Sequence, residues 1–458
     1  MALSKSSKFS PLILLLLLPI LVFAVKKVLD LRRFASGIPA DITINSKTTV
    51  GTISPNLWQN IAQGGEESRD MIGPVVNQLR LLQPKLIRID HIFDYLNVYR
   101  GPNNFDFSGL DGAINSILKT GAKPLLSLSY IPAGIAKSGQ TGGEPADWQQ
   151  WFDLVKATVN RYSVQKNISG IYYEVYNEPD LFGDWHYQKS PSYTTLYTTS
   201  TKAIAAGAGN TIYKVGGPAT TSYYSNWMQS LFKTAQSQNL RLDFISWHQY
   251  SKNPKDFTDN IEQLNSIIAD YPNYFDIERL VTEFGPNSEP DTWYDSKLSG
   301  IHLLSMVTHL QGKIHRLFTF EAVDGPTPRS SVSSGWGLLT HPSLGAKPKP
   351  RYQSLLFLNS LFGNRLYSTG DGTFVTSIAA KSGQTLKILL VNYDPSLSHT
   401  ETVPLTIKEL TSGSYILKTS YFMGKNYIKT VSVPGTVYED QIYLEPNSAT
   451  ILELTPIR

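Results

Sequence analysis

The chain has 458 residues, 41% of them hydrophobic and 17% charged, with a formal net charge of +4. That length suits a large domain plus a smaller module, and so small a charge excludes a concentrated basic face for nucleic acid. With no cysteine, disulfides, thiolate metal sites and cysteine nucleophiles are excluded, while 25 Tyr and 8 Trp suit a protein that handles sugars by stacking and hydrogen bonding.

Lys5 and Lys8 precede an apolar run from Pro11 to Val25 that Lys26 and Lys27 close. This is the layout of an export signal, either cleaved or kept as an anchor. The expectation is an exported protein, secreted or membrane-anchored, with its main domain extracytoplasmic. Residues 1–36 read as this segment and a tether, and residues 37–50 as a strand, Asp41–Asn45, that joins a later β module.

Short apolar strands then alternate with helical stretches. The strand candidates are Leu57–Ile61, Leu86–Asp90, Pro124–Tyr130, Tyr172–Asn177, Tyr213–Gly217, Phe244–His248, Leu280–Glu283 and Arg316–Glu321. Between them Leu110, Ile114 and Ile117 make one helical stripe, Trp151, Leu154 and Val155 a second, and Phe257, Ile261 and Leu264 a third. Eight strands separated by helices predict an α/β fold, a (β/α)8 TIM barrel over residues 51–350, with chemistry at the C-terminal strand ends. After Pro350 the pattern turns to short alternating strands, at Phe374–Ala379, Thr385–Tyr393, Thr402–Ile407, Ser414–Tyr421 and Ala449–Leu454. This predicts a β-sandwich over residues 351–458.

Two strands deliver a glutamate and then break. Gly170–Pro179 ends on Asn177-Glu178-Pro179, closing strand four, and Arg279–Pro286 carries Glu283 to the end of strand seven. Sugar cleavage needs such a carboxyl pair, one to protonate the leaving oxygen and one to attack. Asn177 is placed to hold a sugar hydroxyl. His248 and Tyr250 close strand six, where the phenol can donate to the nucleophile. Arg88 and His91 close strand two, Tyr130 strand three, and Phe320 and Glu321 strand eight. Trp185, Trp293 and Trp336 lie in loops after strands four, seven and eight, as platforms for a sugar ring. No phosphate loop, dinucleotide fingerprint or metal-binding histidine pair is found, so no cofactor and no metal is expected.

Four stretches resemble glycoside hydrolase family 39, which holds β-xylosidases, α-L-iduronidases and exopolysaccharide glycosidases. They are Arg88–Asp94 with Val98-Tyr99, Phe105–Asp111 running to Leu125, Tyr173–Leu181, and Gly335–Leu339 with Lys347–Tyr352. The resemblance covers roughly residues 50–365. It implies a retaining glycosidase of poly- or oligosaccharides, with Glu178 as acid/base and Glu283 as nucleophile, and sugar contacts at His91, Tyr130, Asn177, His248 and Tyr250. The alternative is a non-catalytic polysaccharide binder on the same scaffold. Two departures border the pocket: Tyr176 where the family often has Trp, and Phe318–Ala322 where it often has Trp-Thr-Phe-Ser-Asp.

Overall fold

A computed structural model describes residues 37–326 and 335–457. The expected export segment lies outside the described residues. Among the described residues no helix is long and apolar enough to cross a membrane.

The first strand is β1 (Ile42–Thr52). The barrel begins with β2 (Asn60–Gln63) and β3 (Leu86–Ile89), and a small hairpin of β4 (Tyr99–Gly101) and β5 (Asn104–Phe105) follows. The remaining barrel strands are β6 (Lys123–Ser127), β7 (Ile171–Glu174), β8 (Tyr213–Thr220), β9 (Phe244–Tyr250), β10 (Glu278–Gly285) and β11 (Arg316–Phe320). Eight parallel strands close in the order β10-β11-β2-β3-β6-β7-β8-β9. The expected helical stripes fall on the helices Ser108–Thr120, Trp148–Val159 and Pro254–Ala269. Asn253 caps the last of these with Pro254 in its first turn, and Gly121 ends the first at φ 93°.

Several strand bounds differ from expectation, among them the third, which stops at Ser127, and two have a plain local cause. The first begins at Asn60, because Pro55 opens a 3-10 turn over Pro55–Leu57. The fourth stops at Glu174, because Tyr176 takes φ 74°, a left-handed conformation that a ladder cannot continue.

Inward side chains recur at every second position and form layers. Lys214 and Tyr172 bond Glu278, and Arg316 bonds Asn60 and Tyr172, which closes the N-terminal end. Above it Ala62, Leu86, Leu125, Tyr172, Phe244, Leu280 and Phe318 fill the waist as one apolar cluster. The next inward positions on β3 and β7 are Arg88 and Glu174, both fully buried.

The β module comprises β12 (Asn364–Thr369), β13 (Val375–Ser382), β14 (Thr385–Asn392), β15 (Glu401–Lys408), β16 (Gly413–Tyr421), β17 (Asn426–Val433), β18 (Tyr438–Leu444) and β19 (Ser448–Pro456). With β1 they form one nine-stranded sheet, in the order β17-β16-β19-β14-β13-β12-β1-β15-β18. A single ladder therefore replaces the two separate sheets that a sandwich suggests. Ile42 and Ile44 of β1 share one core with Val403 and Leu405 on one side of them in the ladder and Ile388 and Leu452 on the other, so the sheet is folded over on itself. β17 has no sequence signal because seven of its eight residues are exposed or half-buried. The module docks on the barrel through Thr308–Thr376, through Tyr393 donating to the Lys252 carbonyl, and through Lys387 donating to the Ser360 carbonyl.

Gly216 of β8 admits no side chain, since a Cβ there would stand 2.1 Å from the Phe244 carbonyl oxygen. Gly216→Ala is expected to destabilise by about 3 kcal/mol. Gly112→Ala, in open space on the helix Ser108–Thr120, should stabilise by about 0.5–1 kcal/mol. Urea unfolding followed by circular dichroism measures both, and matching midpoints would contradict this account of the barrel wall.

Candidate active site

Three strand ends meet on one guanidinium. Arg88 Nε donates to Glu174 Oε2 at 2.7 Å, Nη1 to Glu283 Oε1 at 2.7 Å, and Nη2 to Asn177 Oδ1 at 2.6 Å. The Asn177 amide then donates to the Tyr130 hydroxyl at 2.6 Å. A planar fork with fixed donors suits this task, because each nitrogen sets one partner's direction.

Glu283 reaches the cluster through an irregularity. Leu280 points into the barrel core, so strict alternation would turn Glu283 outward. The register of β10 against β9 shifts between Val281 and Glu283, and a bulge of this kind re-aims the side chain. Tyr250 then donates to Glu283 Oε2 at 2.9 Å. Glu178 arrives from the turn after β7 with φ 46°, and its Oε1 lies 2.8 Å from His248 Nδ1. His248 Nδ1 is also 3.5 Å from Glu283 Oε2. One oxygen of each glutamate and a His248 nitrogen all lie within 4.8 Å of one another.

The electrostatics follow from burial and mutual charge. Glu283 is raised to about 7, by burial foremost and by Glu178, against the pull of His248 and Arg88. Burial lowers His248, but Glu283 and Glu178 outweigh that and leave it raised. Burial, with Glu283 beside it, holds the Tyr250 phenol well above its usual range, so it stays a donor. Glu283 and His248 therefore shift each other in opposite directions, each favouring the other's charged form. The same three atoms could hold a cation, but the Arg88 guanidinium already neutralises Glu283.

Among the residues expected to touch sugar, Asn177, His248 and Tyr250 all bond within this cluster. Tyr130 is buried against it, with its ring edge-on to His91 at 4.7 Å. His91 stands at the rim with φ 51°, stacked on Tyr95 at 4.1 Å and held by Asp94 at 2.9 Å. Phe320 packs on Tyr250 and Trp336, beside Gly64. Trp185 differs from expectation: it is 2% exposed, wedged edge-on against Tyr176 and Trp148, and presents no open face for stacking. Tyr176 itself faces away from the cluster, its hydroxyl tied to the Gly142 carbonyl in the long loop after β6. Glu174 and Asp90 escaped the site reading, although a lone charge within an apolar strand is the signal that marks each.

Two measurements test this electrostatic reading. Arg88→Met leaves buried Glu174 uncompensated and is expected to destabilise by about 3–5 kcal/mol in denaturant unfolding. Arg88→Met together with Glu174→Gln should recover part of that, and no recovery would contradict the pairing. Between the ordinary 4.5 and about 7, folded Glu283 keeps a proton that the unfolded chain has lost. The folded state therefore loses relative stability as pH rises through that window. Glu283→Gln is expected to raise the melting temperature at about pH 8 and leave it unchanged at about pH 4. Equal shifts at both would refute the raised value.

Comparison with known proteins agrees with this geometry. The profile of glycosyl hydrolases family 39 matches residues 42–409. A β-xylosidase of Geobacillus stearothermophilus is 22% identical over 302 residues, which cover 58% of this chain and 58% of that protein. Another, from Caldicellulosiruptor saccharolyticus, is 23% identical over 340 residues, 67% of each chain. The chain thus spans about three-fifths to two-thirds of these curated relatives. Among solved structures, a monomeric β-xylosidase from Caulobacter crescentus CB15 superposes with a TM-score of 0.76 at 20% identity, covering 92% of this chain and 100% of that one. A family 39 enzyme from Xanthomonas axonopodis pv. citri gives 0.73 at 19% identity, covering 92% and 98%. With its barrel, its paired glutamates and a profile match that runs from β1 into the β module, the chain belongs to glycosyl hydrolases family 39.

Proposed function

We propose that the protein is a retaining glycosidase of oligo- or polysaccharides, with Glu178 as acid/base and Glu283 as nucleophile. The observation that carries this is the approach of the two carboxylates within 4.8 Å, with Tyr250 and Arg88 both donating to Glu283. Retention needs the two carboxyls roughly 5–5.5 Å apart, and inversion about 6.5–9.5 Å. The short approach fits retention better than inversion.

In the first step a Glu283 oxygen bonds the anomeric carbon while the glycosidic C–O bond breaks, and Glu178 gives its proton to the leaving oxygen. In the second step Glu178 takes a proton from water, the hydroxide adds to the anomeric carbon, and Glu283 leaves as a carboxylate. Arg88 and Tyr250 hold Glu283 in line throughout. His248, at 2.8 Å from Glu178, steadies the carboxylate formed when Glu178 has given up its proton. The β-xylosidases among the relatives support a pentoside substrate, and an exopolysaccharide is the wider class. The basic and apolar residues of the N-terminal segment support export and action outside the cytoplasm.

Glu283→Gln is expected to lower kcat on an activated aryl glycoside by roughly 10⁴-fold or more. Glu178→Gln should lose little on aryl glycosides with good leaving groups and about 10²–10⁴-fold on natural linkages. A 2-fluoro glycoside should label Glu283, as read by peptide mass. Labelling of a different residue would refute the nucleophile assignment, and no labelling at all would favour a carbohydrate binder without chemistry.

A further inference from the structure

Asp90 follows β3 directly and is 8% exposed. Its Oδ2 lies 3.6 Å from Arg88 Nη1, the same nitrogen that donates to Glu283. Asp90 therefore borders the reaction centre without belonging to the catalytic pair. Its Oδ1 is buried and accepts no hydrogen bond. Arg88 is committed to Glu174, Glu283 and Asn177, and His91 Nδ1 to Asp94. At the end of β11, Glu321 repeats the pattern. Its Oε2 accepts from Gln63 at 2.8 Å, and its Oε1 is buried with no partner.

A buried carboxyl oxygen without a donor raises the free energy of the empty site, and a ligand that supplies the donor recovers it. Hydroxyl groups are such donors, and adjacent hydroxyls on a ring match the two oxygens of a carboxylate. A second carboxylate on the sugar would do the opposite. It would add like charge beside Asp90 and Glu283, and buried Arg88 already donates from all three of its nitrogens.

We propose that Asp90 is a specificity-determining residue that accepts hydroxyl groups of the glycone, so that the substrate class is a neutral sugar with free hydroxyls and not a uronate. This rests on the glycosidase reading above. Family membership does not decide it, because a bacterial orthologue of an α-L-iduronidase shares the fold with a TM-score of 0.67 at 16% identity.

The test uses the full protein on nitrophenyl β-D-xyloside, β-D-glucoside, β-D-glucuronide and α-L-iduronide. Neutral glycosides are expected to exceed both uronides by at least about 100-fold in kcat/KM. The best neutral substrate is then compared with its monodeoxy analogues on wild type and Asp90→Asn. One analogue should lose roughly 10- to 100-fold on wild type and almost nothing further on Asp90→Asn. If Asp90 merely balances Arg88, the two losses multiply instead, and the inference is overturned. A uronide turned over as well as the neutral sugars also overturns it, with no variant needed. Turnover of none of the four, with no fluoroglycoside label on Glu283, would instead sink the glycosidase reading itself.

Discussion

A single buried guanidinium sets the geometry on which the site depends. Arg88 has no exposure, and its three nitrogens end on three residues from two distant chain segments, the end of β7 and β10. A cation in that environment is tolerable only with excellent pairing. Glu174, also fully buried, anchors one edge of the fork, so the other edge cannot swing. Glu283 and Asn177 are thus aimed by a group that touches no substrate. The rigid barrel wall beneath holds Arg88 in turn, since its neighbours in the apolar waist leave no slack.

The barrel's layering explains why chemistry gathers at one end. A polar plate of Asn60, Lys214, Glu278 and Arg316 seals the N-terminal end, and the apolar waist excludes water. Above the waist the strands end in conformations that regular ladders avoid. His91, Tyr176, Glu178 and Ala219 all have positive φ, and the register slips in β8 and β10. Such backbone is sparsely populated and persists only where its surroundings over-determine it. Here the surroundings are the hydrogen bonds of the cluster.

The electrostatics follow from the same crowding. Burial raises Glu283, while His248 and Arg88 restrain the rise. A two-step displacement needs the attacking carboxyl ionised, and the Arg88 and Tyr250 donors on Glu283 favour that form against its burial. The β module contributes indirectly. By docking on the helix Lys297–Leu310 through Thr376, it braces the element that follows the strand of Glu283.

Much of this was legible in the residues. Short apolar runs marked all eight barrel strands, because a strand buried on both faces must be apolar. Glu178 and Glu283 stood out as carboxylates at strand ends before Pro or Gly-Pro breaks. Strand β17 was invisible because an exposed edge strand needs no apolar face. Trp185 looked like a sugar platform, since an indole in a loop gives no hint of whether it will be buried. The identity of the glutamates, the strand count and the family motifs belong to the sequence, being properties of short local stretches. The bulge that turns Glu283 inward, the three-way grip of Arg88 and the unfilled oxygen of Asp90 were decided only by tertiary structure. Each depends on side chains from distant strands meeting at separations that chain order does not encode.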